Sequence, residues 1–91
     1  MTSMFLDYAL RALDGAQQVF RPDFYPIHYD HKARRVNVRY MGRGSAPTGD
    51  IGRVCRETER AAEAVSEALQ ADPTLHLVED HKGRWVIIRL A

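Results

Sequence analysis

Apolar residues recur along this chain with two different periods, which together predict six elements. From Met4 to about Val19 the apolar positions repeat every three or four residues, as on one face of an α-helix. A similar pattern begins after Asp50, a residue type that often caps a helix, and runs to about Gln70. Strand-type patterns cover Phe24–Tyr29, Arg34–Met41, Thr74–Glu79 and Arg84–Leu90. The predicted order is therefore αββαββ.

Each predicted helix has one apolar stripe that should face a core. The stripe of the first helix contains Phe5, Leu6, Ala9, Leu10, Ala12, Leu13 and Ala16. The stripe of the second helix contains Ile51, Val54, Cys55, Thr58, Ala61, Ala62, Val65 and Leu69. The remaining positions of the second helix are mostly Arg and Glu, which is typical of a solvated face.

The two predicted hairpins have nearly the same sequence. The segment DHKARRVNVRY begins at Asp30 and DHKGRWVIIRL begins at Asp80, an offset of 50 residues. Six of the eleven aligned positions are identical: Asp30/Asp80, His31/His81, Lys32/Lys82, Arg34/Arg84, Val36/Val86 and Arg39/Arg89. We interpret the chain as a structural repeat of two αββ halves.

Neither half is large enough to close a core alone, so the sequence predicts one domain over residues 1–91. Its halves span about 4–41 and 50–91, and a Gly-rich loop, 42–49, joins them. We expect a two-layer α+β sandwich, with a four-stranded antiparallel sheet and both helices on one face. The element order resembles a circularly permuted ferredoxin-like topology, which implies that the second and fourth strands pair in the centre of the sheet. Pro26 would then lie in an edge strand, where a missing N–H is tolerated.

Strand alternation assigns the side chains of this sheet to two faces. The face toward the helices should contain Tyr25, Ile27, Val36, Val38, Tyr40, Leu75, Leu77, Val86, Ile88 and Leu90. The opposite, open face should contain Phe24, Pro26, His28, Arg35, Asn37, Arg39, Thr74, His76, Val78, Trp85, Ile87 and Arg89. The open face has no acidic residue, so a chain of net charge +1 is predicted to have a basic sheet face and a more acidic helical face.

An exposed tryptophan beside other apolar residues is typical of a contact surface. We therefore expect a small non-catalytic protein that uses the open face to bind a protein partner or a second copy of itself, because Trp and Arg are frequent anchors of interfaces. The alternative is single-stranded RNA or DNA binding, with Trp85 stacked on a base and the arginines on phosphates. Both hypotheses use Arg35, Asn37, Arg39, Trp85, Ile87 and Arg89, with His28, His76, Arg43 and Arg53 at the periphery.

The sequence favours neither catalysis nor a cofactor. Cys55 is the only cysteine and lies on an apolar stripe, so no internal disulfide or cysteine-rich metal site is expected. Antiparallel central strands would place His31 and His81 at opposite ends of the sheet, which argues against a shared metal. No small-molecule substrate is expected. The N-terminal stretch has no basic leader and no apolar run is long enough to span a membrane, so we expect a cytoplasmic protein without membrane contact.

Overall fold

A computed structural model of the chain describes residues 4–20, 27–38 and 49–90. It contains two helices, α1 (Met4–Phe20) and α2 (Gly49–Ala71), and four strands, β1 (Ile27–Asp30), β2 (Arg35–Val38), β3 (Leu75–Glu79) and β4 (Trp85–Arg89). The predicted order of elements is confirmed. Several predictions fall outside the described residues, namely those on Phe24, Tyr25, Pro26, Arg39, Tyr40, Met41, Arg43 and the rest of the loop at 42–48.

The two helices pack against each other, and their predicted stripes form most of the core. Leu13 of α1 and Val65 and Leu69 of α2 are completely buried. The strands add Val36, Leu75 and Leu77 to the same cluster. Burial of these apolar side chains is the main stabilising term of the fold. No helix in the described part of the chain has the length and apolarity needed to cross a membrane.

The strands form two separate two-stranded antiparallel sheets. In the first, β1 pairs with β2, with Asp30 opposite Arg35 and Ile27 opposite Val38. In the second, β3 pairs with β4, with Glu79 opposite Trp85. The chain is therefore a small α+β protein, and the predicted four-stranded sheet with its ferredoxin-like order is not confirmed for the described residues.

The expected pairing of β2 with β4 is absent from the described residues because the outer edges of both strands meet helices instead. The Val36 N–H donates to the Ser66 hydroxyl of α2 at 2.8 Å. The Trp85 N–H donates to a carboxylate oxygen of Asp14 in α1 at 3.0 Å. Backbone donors that a neighbouring strand would need are thus bonded to helix side chains.

The two hairpins differ in the length of their turns, despite their similar sequences. In the first, four residues, 31–34, separate the paired residues Asp30 and Arg35, and Arg34 has a φ of 53°. In the second, the Asp80 N–H already donates to the Arg84 carbonyl, which leaves three turn residues. The left-handed conformation is taken there by Gly83, at φ 76°. A glycine in this position is typical of three-residue hairpin loops.

The turn of the second hairpin is shorter by one residue. The strand after it is therefore paired one position out of step with the equivalent strand of the first hairpin. Because side chains alternate between faces, such a shift moves every side chain of the strand to the opposite face. Val36 is buried in β2, but its counterpart Val86 in β4 is only half buried. In β4 it is Trp85 and Ile87 that pack against the core. The predicted facing of β4 was therefore wrong, whereas that of Leu75 and Leu77 in β3 is confirmed.

Candidate partner-binding surfaces

The first hairpin presents the predicted polar residues to solvent. Arg35 and Asn37 are exposed on β2, and His28 is exposed on the neighbouring β1. Their pairing places His28 opposite Asn37, so the two side chains share one face. Of the other residues assigned to the surface, Arg53 is exposed on α2 and Arg89 is exposed on β4, whereas His76 is half buried on β3. Their role in binding a partner stays a prediction.

Trp85 and Ile87 are not on an open face, contrary to expectation. The indole N–H of Trp85 donates to the side-chain oxygen of Gln17 at 2.8 Å, and its backbone N–H is bonded to Asp14. Both contacts attach the start of β4 to α1. Ile87 packs against the same core cluster, opposite Leu77. The structural reason is the shortened turn, which directs Trp85 and Ile87 of β4 inward.

Other residues of the second hairpin form the outward face instead. His76 lies opposite Ile88, and Val78 lies opposite Val86. Ile88 is 41% exposed and Leu90, just after the strand, is 50% exposed. An apolar surface on this hairpin was expected, and His76 and Val78 were assigned to it. Val86, Ile88 and Leu90 were not, because the sequence places them in the core when the two hairpins are assumed to share one register.

Two exposed arginines on the strands, Arg35 and Arg89, form ion pairs with carboxylates. Arg35 forms an ion pair with Glu63 at 2.7 Å, and Arg89 forms one with Asp72 at 2.8 Å. Arg89 also donates to the Thr74 hydroxyl at 2.8 Å. The side chains of both arginines keep about half of their surface in solvent, so each pair contributes little to stability. The pairs nevertheless reduce the positive field that a nucleic acid would meet.

A cleft of about 520 Å³ separates the two hairpins. Its walls come from β1 with the following turn and from β3 with the start of β4: Ile27, His28, Tyr29, His31, Leu77, Val78, Glu79 and Trp85. The rings of Tyr29 and His31 meet edge to face, with centroids 4.6 Å apart. The cleft therefore has a largely apolar lining, with imidazole groups on one wall and a carboxylate on the other.

The free edge of β3 faces away from β4, toward the side on which this cleft lies. Backbone hydrogen bonds join Thr74 to Leu90 and Asp80 to Arg84, so the even-numbered residues of the hairpin bond across to β4. By alternation, the N–H and C=O groups of Leu77 and Glu79 point the other way. Within residues 4–20, 27–38 and 49–90, those outward groups have no hydrogen-bond partner.

The outer edge of β1 likewise has no strand partner among the described residues. The Val36 N–H points to Ser66, so Tyr29, which lies opposite Val36, belongs to a pair that does not exchange backbone bonds. The backbone groups of Ile27 and Tyr29 consequently point away from β2. In the part of the chain that the structure describes, two strand edges without a strand partner thus border one cleft, an arrangement that can accept a further strand.

Sequence reasoning missed a second apolar surface, which lies on the helices. Met4, Phe5 and Tyr8 of α1 are 89%, 68% and 68% exposed. Phe5 was assigned to the core stripe, and that assignment is wrong. The stripe of α1 is narrower than expected because the side chains of Leu6, Ala9, Leu10 and Leu13 already fill its contact with α2. The signal that could have revealed this surface is the aromatic pair at positions 5 and 8, one helical turn apart.

Asp14 is the titratable group most affected by burial in this region. Partial burial raises the pKa of its carboxyl, and the Trp85 N–H and the nearby Arg84 guanidinium oppose that rise. The half-buried position of this carboxylate has a structural role, because the carboxylate accepts the hydrogen bond that attaches β4 to α1. We find no reacting group beside it that would indicate general acid or base catalysis among the described residues.

The remaining candidates for chemistry lie apart from these surfaces. Cys55 is 1% exposed and packs with Ala16 between the helices. Among the described residues, no cluster of three or more His, Cys, Asp or Glu side chains could hold a metal ion. No protein-family model, curated protein or solved structure matches this chain. Any function must therefore be argued from its own surfaces.

Proposed function

We propose that this chain is a small non-catalytic binding module that holds an extended segment of a partner protein along the edge of β3. The observation that carries this proposal is the free backbone edge at Leu77 and Glu79, which borders the cleft between the hairpins. A strand that adds to such an edge obtains affinity from main-chain hydrogen bonds. Its specificity comes from pockets for alternate side chains.

The lining of the cleft suggests which segments would fit. Side chains of the guest strand that point inward would meet Tyr29, Leu77 and Trp85, which favour apolar or aromatic residues at every second position. Glu79 lies at the end of the β3 edge and is exposed, so a basic residue near that end of the guest would find a carboxylate. A short segment with apolar residues in alternation and one Lys or Arg is the expected ligand.

Single-stranded nucleic acid is the competing ligand, and the arginine pairs count against it. A phosphate would have to compete with Glu63 for Arg35 and with Asp72 for Arg89. Trp85 would have to leave its bond to Gln17 and its place against the core before it could stack on a base. These contacts support a protein ligand over a nucleic acid.

The decisive substitution is Glu79→Pro, with Glu79→Ala as its matched control. Proline removes the Glu79 carboxylate and the outward N–H, and edge strands tolerate proline when its nitrogen faces away from the pairing strand. Alanine removes the same carboxylate and keeps the N–H. Peptides selected from a displayed library of random extended heptamers would serve as the probe, with dissociation constants measured by fluorescence anisotropy.

We expect the selected peptides to bind the alanine variant more tightly than the proline variant, by about 3- to 10-fold, which corresponds to one backbone hydrogen bond. Thermal unfolding of both variants checks that the fold is kept. Equal affinities of the two variants would show that the β3 edge is not used. Labelled random single strands titrated at low and moderate salt test the alternative, since binding that weakens steeply with salt indicates phosphate contacts.

A further inference from the structure

The helical layer has an apolar surface that the strand side does not explain. We infer that a second copy of this chain docks there, forming a two-fold symmetric dimer through α1 and α2. We call this surface the helical patch and define it by Met4, Phe5 and Tyr8, which are exposed, and by the groove beside them. It uses none of the residues that line the cleft between the hairpins.

The groove has a shape that suits side chains like those beside it. Its floor is made by the small residues Ala9, Ala12 and Ala61, where α1 and α2 meet. Phe5 and Tyr8 form one wall and are mostly exposed. In a two-fold interface the same patch meets itself, so an aromatic side chain of one copy can fill the alanine-floored groove of the other. Buried aromatic anchors of this kind carry much of the affinity of protein interfaces.

The charges at the edge of the groove favour a second copy over an unrelated partner. Glu57 and Arg60 lie on α2, three residues apart, and both line the groove. Both are exposed, and neither forms an ion pair with any residue in the described part of the chain. In a two-fold interface, residue i meets j′ and j meets i′, so Glu57 of each copy can face Arg60 of the other. A surface that carries one negative and one positive side chain in this arrangement is electrostatically complementary to a second copy of itself.

The first test is the oligomeric state of the whole chain, measured by sedimentation velocity over a wide range of concentrations. We expect the wild type to dimerise, and Tyr8→Ser to raise the dimer dissociation constant about tenfold or more, as loss of an interface anchor does. Ile88→Ser is the matched control, because Ile88 is an exposed apolar residue of the outward strand face. A wild type that stays monomeric would overturn the inference. Dimerisation lost in Ile88→Ser but kept in Tyr8→Ser would assign the interface to the strands instead.

The second test is a charge exchange across the interface. Glu57→Arg alone and Arg60→Glu alone should each weaken the homodimer, because like charges then face each other in both halves of the interface. An equimolar mixture of the two variants should form a heterodimer as tight as the wild type, since both facing pairs become opposite in sign. Recovery in the mixture excludes misfolding as the cause of the single defects. Two single variants that dimerise normally, or a mixture that fails to recover, would contradict the proposed pairing.

The dimer and the proposed peptide binding can fail independently. Peptide affinity measured on the Tyr8→Ser variant, with the cleft unchanged, should equal that of the wild type. If dimerisation is confirmed and no peptide binds, the inference stands without the proposed function. If peptides bind a strictly monomeric wild type, the proposed function stands and the dimer is wrong.

Discussion

At the scale of single residues, Arg34 supplies the positive charge that the C-terminus of α2 lacks. The last turn of α2 has no basic residue of its own. The Arg34 guanidinium, from the first hairpin, donates to the Leu69 carbonyl at 2.7 Å, to the Asp72 carbonyl at 3.1 Å and to the Leu75 carbonyl. The bond to Leu69 satisfies a carbonyl group that the helix end leaves free, and the cation interacts favourably with the helix dipole. The other two bonds attach the first hairpin to the segment that leads into β3.

Arg34→Lys should therefore lower the free energy of unfolding by about 2 kcal/mol, because an ammonium cannot reproduce a fork of several charged hydrogen bonds. Urea unfolding would measure the loss. The repeat provides the matched control, since Arg84 occupies the equivalent position but forms an exposed ion pair with Asp80. Arg84→Lys should change stability little. A similar loss in both variants would argue against a specific role for Arg34 at the end of α2.

Among the described residues, Asp72 is the one whose ionisation is most strongly favoured by the fold. Its carboxylate accepts hydrogen bonds from the Thr74 hydroxyl at 2.6 Å, from the Thr74 N–H at 3.0 Å and from Arg89 at 2.8 Å. These bonds lower the pKa of Asp72 to about 2, with the Thr74 hydroxyl as the largest cause. Because this value is below the unfolded one, the ionised carboxylate stabilises the fold above pH 3.8. That stabilisation is lost as the pH falls toward 2.

Asp72→Asn should consequently lower the melting temperature near pH 7, and its deficit should shrink as the pH falls from about 5 to about 2. Asparagine keeps an oxygen acceptor for Thr74 and removes the charge that faces Arg89. Thermal unfolding over a pH series, with Glu67→Gln as an exposed control on α2, measures the effect. A deficit that is the same at pH 2 as at pH 7 would refute the assigned role of the charge.

At the scale of elements, one turn residue decides which side of β4 faces the core. Asp80 holds the second turn through bonds from the N–H groups of Lys82 and Arg84, at 2.8 and 2.9 Å, and Gly83 completes it in the left-handed conformation. In the first turn, Asp30 accepts bonds from Lys32 and Ala33, and the left-handed residue is Arg34, one position later. The exchange of Ala33 for Gly83 between the repeats accompanies this shift.

Gly83→Ala should cost about 1–2 kcal/mol, the penalty for a left-handed residue with a Cβ atom. The cost is conformational rather than steric, because the nearest atom to an added Cβ is the Glu79 carboxylate oxygen at 3.7 Å. Gly83→Asn should cost less, since asparagine tolerates this conformation. Equal unfolding free energies for wild type and both variants would show that the left-handed conformation does not limit the turn.

At the scale of the whole molecule, each sheet is joined to a helix through the edge of its second strand. Ser66 of α2 accepts the N–H of Val36, and Asp14 of α1 accepts the N–H of Trp85. Arg34 then ties the first hairpin to the end of α2 and the start of β3. Among the described residues, these contacts leave β1 and the Leu77–Glu79 part of β3 without a neighbouring strand on their outer edges. The whole fold therefore presents the proposed binding edge on its strands and the helical patch on its helices.

The two surfaces together would make a bivalent assembly. A dimer formed through the helical patches would leave both clefts accessible, because the residues of the patch and of the cleft do not overlap. Two linked sites bind a partner that has two suitable segments more tightly than one site does, through effective concentration alone. A partner with a single segment would gain no affinity from dimerisation. The affinities of partners with one and with two segments therefore distinguish single-site binding from bivalent binding.

Local pattern was sufficient for the order of elements, for most of the core stripes and for the outward position of Arg35 and Asn37. Helical and strand periodicities are properties of the chain itself, and burial of Leu13, Val65 and Leu69 follows from them directly. The position of Trp85 was not predictable in the same way. Its facing depends on whether the turn before it has three or four residues, which two nearly identical sequences leave open.

The amino-acid sequence by itself determined that this protein has two amphipathic helices and two hairpins, because periodicity and turn chemistry act over a few neighbouring residues. Only the tertiary structure decided which strand edges stay unpaired and which apolar side chains remain at the surface. Those outcomes depend on contacts between distant residues, such as Val36 with Ser66 and Trp85 with Asp14. A helix side chain that occupies a strand edge excludes a neighbouring strand, and no local pattern encodes that competition.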